Sequence, residues 1–186
     1  MASQDVSQKH GKGYWAAANG RLFHGATAAT GVAPGTAIGT TAAFSLHNPL
    51  GSGVDINIRK VSMGYISGTL GAGTVWHLVN LDPSAAAPTG TAITETPGKV
   101  TGAAGYGIAL TTSTLAVAPR IIRPFAILDA SLATSVVGPR QIVEDVDGEI
   151  IIPPGCTYSL HSTAAAGTSP LVAFGVTWEE VGVGSE

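Results

Sequence analysis

Charge is what this sequence is shortest of. Asp, Glu, Lys and Arg make up 11% of its 186 residues, against roughly 25% in ordinary soluble chains. A monomer of this mass exposes ~8,000 Å², so nine basic and twelve acidic side chains leave it thinly solvated. Such a surface favours self-association. A symmetric oligomer is therefore expected, a homotrimer first and a dimer second, or burial of much of the surface in a larger assembly. A surface made polar by Ser, Thr and Gly is the plainer alternative.

Other absences exclude whole classes. One cysteine, Cys156 beside the Pro153-Pro154-Gly155 turn, rules out an internal disulfide and any cysteine-based zinc site. Nine scattered basic residues and a net charge of −3 give no basic stripe, which argues against nucleic acid as a partner. No apolar run approaches the roughly 18 residues that span a bilayer. The start, Met1-Ala2-Ser3-Gln4-Asp5, lacks the basic and apolar regions of a signal peptide, so synthesis and retention in a cytoplasm are expected. Helical periodicity beyond two turns is missing as well.

What remains is strand pattern. The run Ser169 to Glu180 places Val172, Phe174, Val176 and Trp178 on alternate positions, the period of a strand with one bulky face. Thr41 to His47 is the first strand of the domain, with Ala42, Phe44 and Leu46 inward. Val54 to Ser67 changes phase, because Val54, Ile56 and Ile58 are even-numbered while Val61, Met63 and Tyr65 are odd. A β-bulge near Arg59-Lys60 restores one inner face. Thr74 to Leu81 is apolar on both sides and reads as a central strand. Asp82 to Gly107 loses its pattern and reads as a long connection tacked down by Ile93 and Val100. Further strands follow at Ile108 to Val117 and Pro124 to Asp129. Gln141 to Val146 and Glu149 to Ile152 flank Asp147-Gly148, which reads as a two-residue hairpin turn. The fold class expected is all-β: an antiparallel β-sandwich of jelly-roll type over residues 41–186.

Residues 1–40 are rich in Gly, Ala and Thr, broken by Tyr14-Trp15 and Leu22-Phe23. They read as an extended arm, with Tyr14, Trp15, Leu22 and Phe23 as anchors on a neighbouring subunit or capsid. The alternative is that Leu22 and Phe23 begin the first strand of the domain itself.

Chemistry finds little purchase. The run Glu144-Asp145-Val146-Asp147-Gly148-Glu149 fails as an EF-hand, since Pro154 falls where the bidentate Glu is required. A weak calcium site from Asp145, Asp147 and Glu149 is the remaining metal option, with solvated carboxylates preferred. His10, His24, His47, His77 and His161 never pair at ligand spacing, so no metal or cofactor is expected. No Gly-x-Ser-x-Gly elbow or phosphate loop occurs. Glu179 and Glu180 point to opposite faces and cannot act together. The chain reads as not an enzyme, with a hydrolase the third choice.

Three pieces carry a resemblance. They are Leu46-His47-Asn48-Pro49-Leu50-Gly51-Ser52-Gly53, Gly148-Glu149-Ile150-Ile151-Ile152-Pro153-Pro154-Gly155, and Val172 to Glu180. Together, across roughly residues 41–181, the chain resembles small virion proteins of tailed bacteriophages, in particular the capsid cement or decoration proteins. The resemblance implies a virion structural protein that oligomerises on the capsid exterior and clamps neighbouring major capsid protein subunits. It carries over no functional residue by position. The alternative is a receptor- or carbohydrate-binding β-sandwich of a phage tail or fibre, with Trp76 or Trp178 lining a groove.

Overall fold

The structure, a computed structural model, describes residues 11 and 13–184 apart from 84, 129–140 and 165–166. Residues 1–10 of the expected arm, with His10, lie outside the described residues, as does Asp129 at the end of an expected strand. A short helix α1 (Tyr14–Ala18) precedes β1 (Leu22–Ala26), β2 (Thr41–His47), β3 (Val54–Thr69) and β4 (Gly73–Asn80). Then come β5 (Thr89–Ala92), β6 (Thr96–Pro97), β7 (Ile108–Thr114) and β8 (Arg120–Leu128). The chain finishes with β9 (Gln141–Ile152), β10 (Thr157–Ala164) and β11 (Thr168–Gly182).

These strands form two antiparallel sheets, one in the order β6-β1-β11-β3-β9 and one in the order β5-β7-β2-β10-β4-β8. Without β5, β6 and β7 the orders are β1-β11-β3-β9 and β2-β10-β4-β8. That is the jelly roll, two Greek keys folded into one sandwich. β5, β6 and β7 extend both sheets on one side. The connection expected to be structureless over 82–107 thus contains two short strands. Ile93 packs on the core and donates its N–H to the Ala109 carbonyl, whereas Val100 is exposed and fastens nothing.

β11 lies between β1 and β3, and its inward Val172, Phe174, Val176 and Trp178 are all buried. The bulge in β3 is real. Thr177 faces Lys60 and Trp178 faces Ile58, so Arg59 is the extra residue, and Ile56, Ile58, Val61 and Met63 all reach the core.

Two expectations are corrected. The first concerns Asp147-Gly148. Both residues take positive φ, 48° and 96°, yet no hairpin forms. Lys60 faces Asp145 and Ile58 faces Ile150, so Val146 to Glu149 bulge out of one continuous strand opposite Arg59. A hairpin would need the two halves to pair with each other, but each finds a better apolar partner on β3. Arg59 closes the bulge with an ion pair to Asp147 at 3.2 Å.

The second correction concerns the arm. Leu22 to Ala26 pair with Glu179 to Gly175 of β11, and Phe23 is 3% exposed, stacked on Trp178 at 6.0 Å between ring centroids. Burial of a phenyl ring against indole outweighs any gain from leaving it free for a partner. The segment after β1 is also tied down. Thr27 N–H donates to Phe174, and Val32 and Val172 exchange both backbone hydrogen bonds. The domain therefore starts at least as early as Leu22, not at residue 41.

The outer face of the second sheet is covered by its own chain. Residues 115–119 join β7 on one side of the sheet to β8 on the other. The Leu115 N–H meets Thr40 at the start of β2, and Val117 and Ala118 lie beside Asn80 at the far end of β4. On this sheet Ser45, Leu78, Ser159 and His161 are buried on the side away from the main core.

Two outcomes follow. Deleting residues 1–40 removes β1 from beside β11 and with it the Phe23–Trp178 contact, so cooperative thermal unfolding should be lost; a truncated chain that still melts sharply would contradict the placement of β1. Gly148→Val forces a β-branched residue to φ 96° with its Cβ 3.2 Å from the Asn57 side chain. It should lower stability by about 1 kcal/mol or more in denaturant titration.

Candidate functional site

Of the four anchor residues, the structure separates one pair from the other. Tyr14 and Trp15 stand on α1 and are 47% and 44% exposed. Leu22 is half-buried and Phe23 belongs to the core. α1 is a five-residue turn of helix with no side-chain hydrogen bond at its N-cap, Gly13; the Asn19 side chain closes the other end by donating to the Trp15 carbonyl at 2.7 Å. Only Ala16 of the helix is buried. A depression beside it is walled by Tyr14, Ala17, Ala18, Gly98 and Lys99. Val100 follows at the tip of a turn closed from Gly102 N–H to the Lys99 carbonyl. Among the described residues this flank joins the exposed aromatic and aliphatic surface of Tyr14, Trp15 and Val100 to Lys99.

On the other side of Gly13 lies a groove of about 440 Å³ over the outer face of the first sheet, lined by Leu22, His24, Arg59, Lys60, Asp145, Asp147 and Thr177. Its charges are mutually compensated: Lys60 pairs with Asp145 and Arg59 with Asp147, each at 3.2 Å. Glu149 is held by Arg123. All three carboxylates of the possible calcium site therefore have a cation against them. Among the described residues no group of three or more His, Cys, Asp or Glu converges as metal ligands would.

The densest polar network lies inside, at the edge where β8 and β9 face each other. The His77 imidazole is buried, with Nδ1 2.6 Å from the Tyr158 hydroxyl and Nε2 3.0 Å from Glu144 Oε2. Arg123 reaches Glu144 Oε1 at 2.6 Å and also binds Glu149. The proton positions follow from donor counting. An ionised carboxylate only accepts, so Nε2 carries the proton and Tyr158 donates to Nδ1. Burial holds His77 below its usual pKa despite Glu144, while hydrogen bonds from His77 and Arg123 hold Glu144 below its own against the opposing effect of burial. Burial lifts the Tyr158 hydroxyl well above its ordinary value. The arrangement ties the second sheet (His77, Arg123, Tyr158) to the first (Glu144, Glu149) through side-chain hydrogen bonds and ion pairs.

A second carboxylate gathers the insertion. Glu180 accepts from the N–H groups of Tyr106 and Gly107 at 2.9 Å and from Trp178 Nε1 at 3.2 Å. Glu95 accepts from Gly105 N–H, and burial raises its carboxyl pKa. Glu179 points the other way, to Arg21 at 3.1 Å, as strand alternation requires. Sequence reasoning missed His77–Glu144–Arg123, because three residues 67 and 21 positions apart carry no local signal. The inward parity of Glu144 in a strand whose Val146, Ile150 and Ile152 are apolar was the available clue.

Of the tryptophans named for a glycan platform, burial removes Trp178, whereas Trp76 stays half-buried. Trp178 is fully buried, and Trp76 spends its indole N–H on Thr163 at 2.8 Å. His47 bonds Thr157 and His161 bonds Ser159, and burial lowers the pKa of both imidazoles, His161 to about 4.

Stability should fall on acidification for a defined reason. His47, His77 and His161 have folded pKa values below the unfolded value near 6.5. Each therefore stabilises the fold above pH 6.5 and loses that contribution as pH drops toward its folded pKa. His161 alone accounts for about 2–3 kcal/mol by pH 4.5. Chemical denaturation at pH 7.5 and 4.5 checks this; equal free energies at the two would refute neutral burial. No family model matches the chain, and no curated protein or solved structure does.

Proposed function

We propose that this chain is a non-enzymatic structural protein of a virion. It associates with copies of itself, as a trimer first and a dimer second, on the capsid exterior of a tailed bacteriophage. There it clamps neighbouring major capsid protein subunits, after synthesis in the host cytoplasm. The observation that carries the reading is the outward aromatic pair on α1. Tyr14 and Trp15 contribute little to the core, yet they stand as exposed aromatics close to Lys99 and Val100. Large aromatic side chains of this kind dominate binding energy when a partner buries them. The thin charge of the whole surface supports the same reading.

The β-strand edges point to the type of contact. β8 carries Arg120, Arg123, Pro124 and two register shifts against β4. β9 carries its bulge and four carboxylates, while β5 and β6 are four and two residues long. Each device discourages strand-to-strand addition. Partners would then be held through side-chain faces rather than through an extended sheet.

Replacing Tyr14 and Trp15 together by Ser should leave the unfolding free energy within about 0.5 kcal/mol of the parent. The same variant should weaken self-association or particle attachment at least tenfold. Sedimentation of the parent as a monomer at high micromolar concentration would remove the self-association half of the proposal. A cryo-EM map of the particle that lacks the protein on its shell would remove the other half.

A further inference from the structure

The connection between β1 and β2 enters a split in the second sheet. β2 and β10 pair only where Phe44 to His47 face Leu160 to Thr157. Beyond that point Thr41 and Ala42 pair with β7 alone, and His161 to Ala164 pair with β4 alone. The two strands diverge, and Pro34-Gly35 fills the gap. Pro34 is buried, and the carbonyls of Pro34 and Gly35 lie 2.7 and 2.6 Å from the Ser162 hydroxyl. A hydroxyl has one proton to give, so the segment is held at its middle by one hydrogen bond at a time. Its ends are fixed by Val32 on Val172 and by Thr40 on Leu115.

A cavity of about 180 Å³ remains in the split, lined by Ala33, Pro34 and Gly35 of the connection, by Thr112, and by His161 and Ser162, among others. His161 is 1% exposed, and its Nδ1 has no hydrogen-bond partner. Its other nitrogen meets the Ser159 hydroxyl, and Trp76 faces it from β4. None of the lining residues from the connection, β2, β7 or β10 carries a charge other than His161 itself. A proton on this imidazole would create a cation with no carboxylate among the described lining residues to answer it and almost no surface that water can reach, the costliest state for a buried group.

We infer that residues 33–37 form a proton-operated plug, which leaves the split between β2 and β10 when His161 becomes charged. Expulsion lets the imidazolium reach water, and it uncovers the facing edges of two strands that have no neighbours there. Proton and plug are thermodynamically linked, because the open form binds the proton more tightly. The inference does not depend on the virion reading and stands or falls without it.

With an imidazole that titrates near 6.5 when open and about 4 when closed, the opening equilibrium grows about 70-fold between pH 7.5 and 4.5. Native-state hydrogen exchange of the intact chain reads this at the Val32 and Leu115 amides, after correction for intrinsic rates. Their protection should fall about 70-fold over that range, and they should open more readily than amides paired between β3 and β11. In H161Q the fall at Val32 and Leu115 should vanish, while any pH dependence of the β3–β11 amides from His47 and His77 remains. The inference is overturned if Val32 and Leu115 exchange in one step with the β3–β11 amides, or if H161Q keeps the full pH dependence. Should H161Q not fold, the parent decides: loss of Val32 and Leu115 protection that follows the NMR titration of the His161 ring, with the β3–β11 amides still protected, upholds the plug, and a ring that titrates near 6.5 in the folded chain overturns it.

Discussion

A buried indole N–H needs an acceptor, and much of this fold follows from meeting that need for Trp178. The ring fills the middle of the sandwich, where β1, β11 and the insertion after β4 meet. Glu180, two residues on and so on the same face, supplies the acceptor. That answer creates a larger demand, since a carboxylate with 6% exposure must itself be surrounded by donors. The backbone of Tyr106 and Gly107 provides them. Gly107 is the residue that permits the approach: a Cβ there would sit 3.1 Å from the indole nitrogen. Phe23 then closes the other face of the ring and brings β1 with it. One aromatic residue thereby commits the C-terminal strand, the first strand and the long insertion to a single arrangement.

The parts of this legible in sequence were those with a local period. Val172, Phe174, Val176 and Trp178 announce β11, and the shift from Ile58 to Val61 announces the bulge in β3, because alternation is a property of neighbouring residues. Asp147-Gly148 shows where locality stops being enough. Its backbone preference was read correctly, since both φ values are positive, but the partner of each flanking segment is set by β3, some ninety residues away. The same limit applies to Leu22 and Phe23. In a stretch of Gly, Ala and Thr they stand out as anchors, and nothing nearby reveals that the surface they anchor to is β11 of the same chain. The candidate site divides likewise. Tyr14 and Trp15 were visible as aromatics without a strand pattern around them, whereas the Glu144–His77–Arg123 network needed the sheets to be in place.

The sandwich deals with its two open sides differently. On the side of β8 and β9 a salt-bridged network crosses between sheets, and both edges carry charge, bulges or proline. That edge is stabilised internally and poorly suited to accept another strand. On the side of β5 and β6 the edge strands are too short to template anything, and the exposed groups are side chains: Tyr14, Trp15, Val100. A chain so poor in charge has few other means of limiting association than denying strand edges to one another. What it leaves open is contact through faces, which is specific in shape and limited in extent.

The histidines show the same economy of charge in the interior. Among the described residues three are buried, and of these only His77 has a carboxylate within hydrogen-bond reach. The other two, His47 and His161, bond hydroxyl groups of β10, which can donate or accept and so suit a neutral ring. A carboxylate beside either would hold it protonated at neutral pH and oblige the sandwich to bury an ion pair whose desolvation is often not recovered. Hydroxyl partners avoid that cost near pH 7 and impose it only when protons become abundant. His77 escapes the dilemma differently, because Arg123 neutralises Glu144 before the imidazole is asked to. The strands that cross the middle of the second sheet are therefore uncharged by design of their neighbours rather than by lack of titratable groups, and acid is the condition under which that neutrality fails.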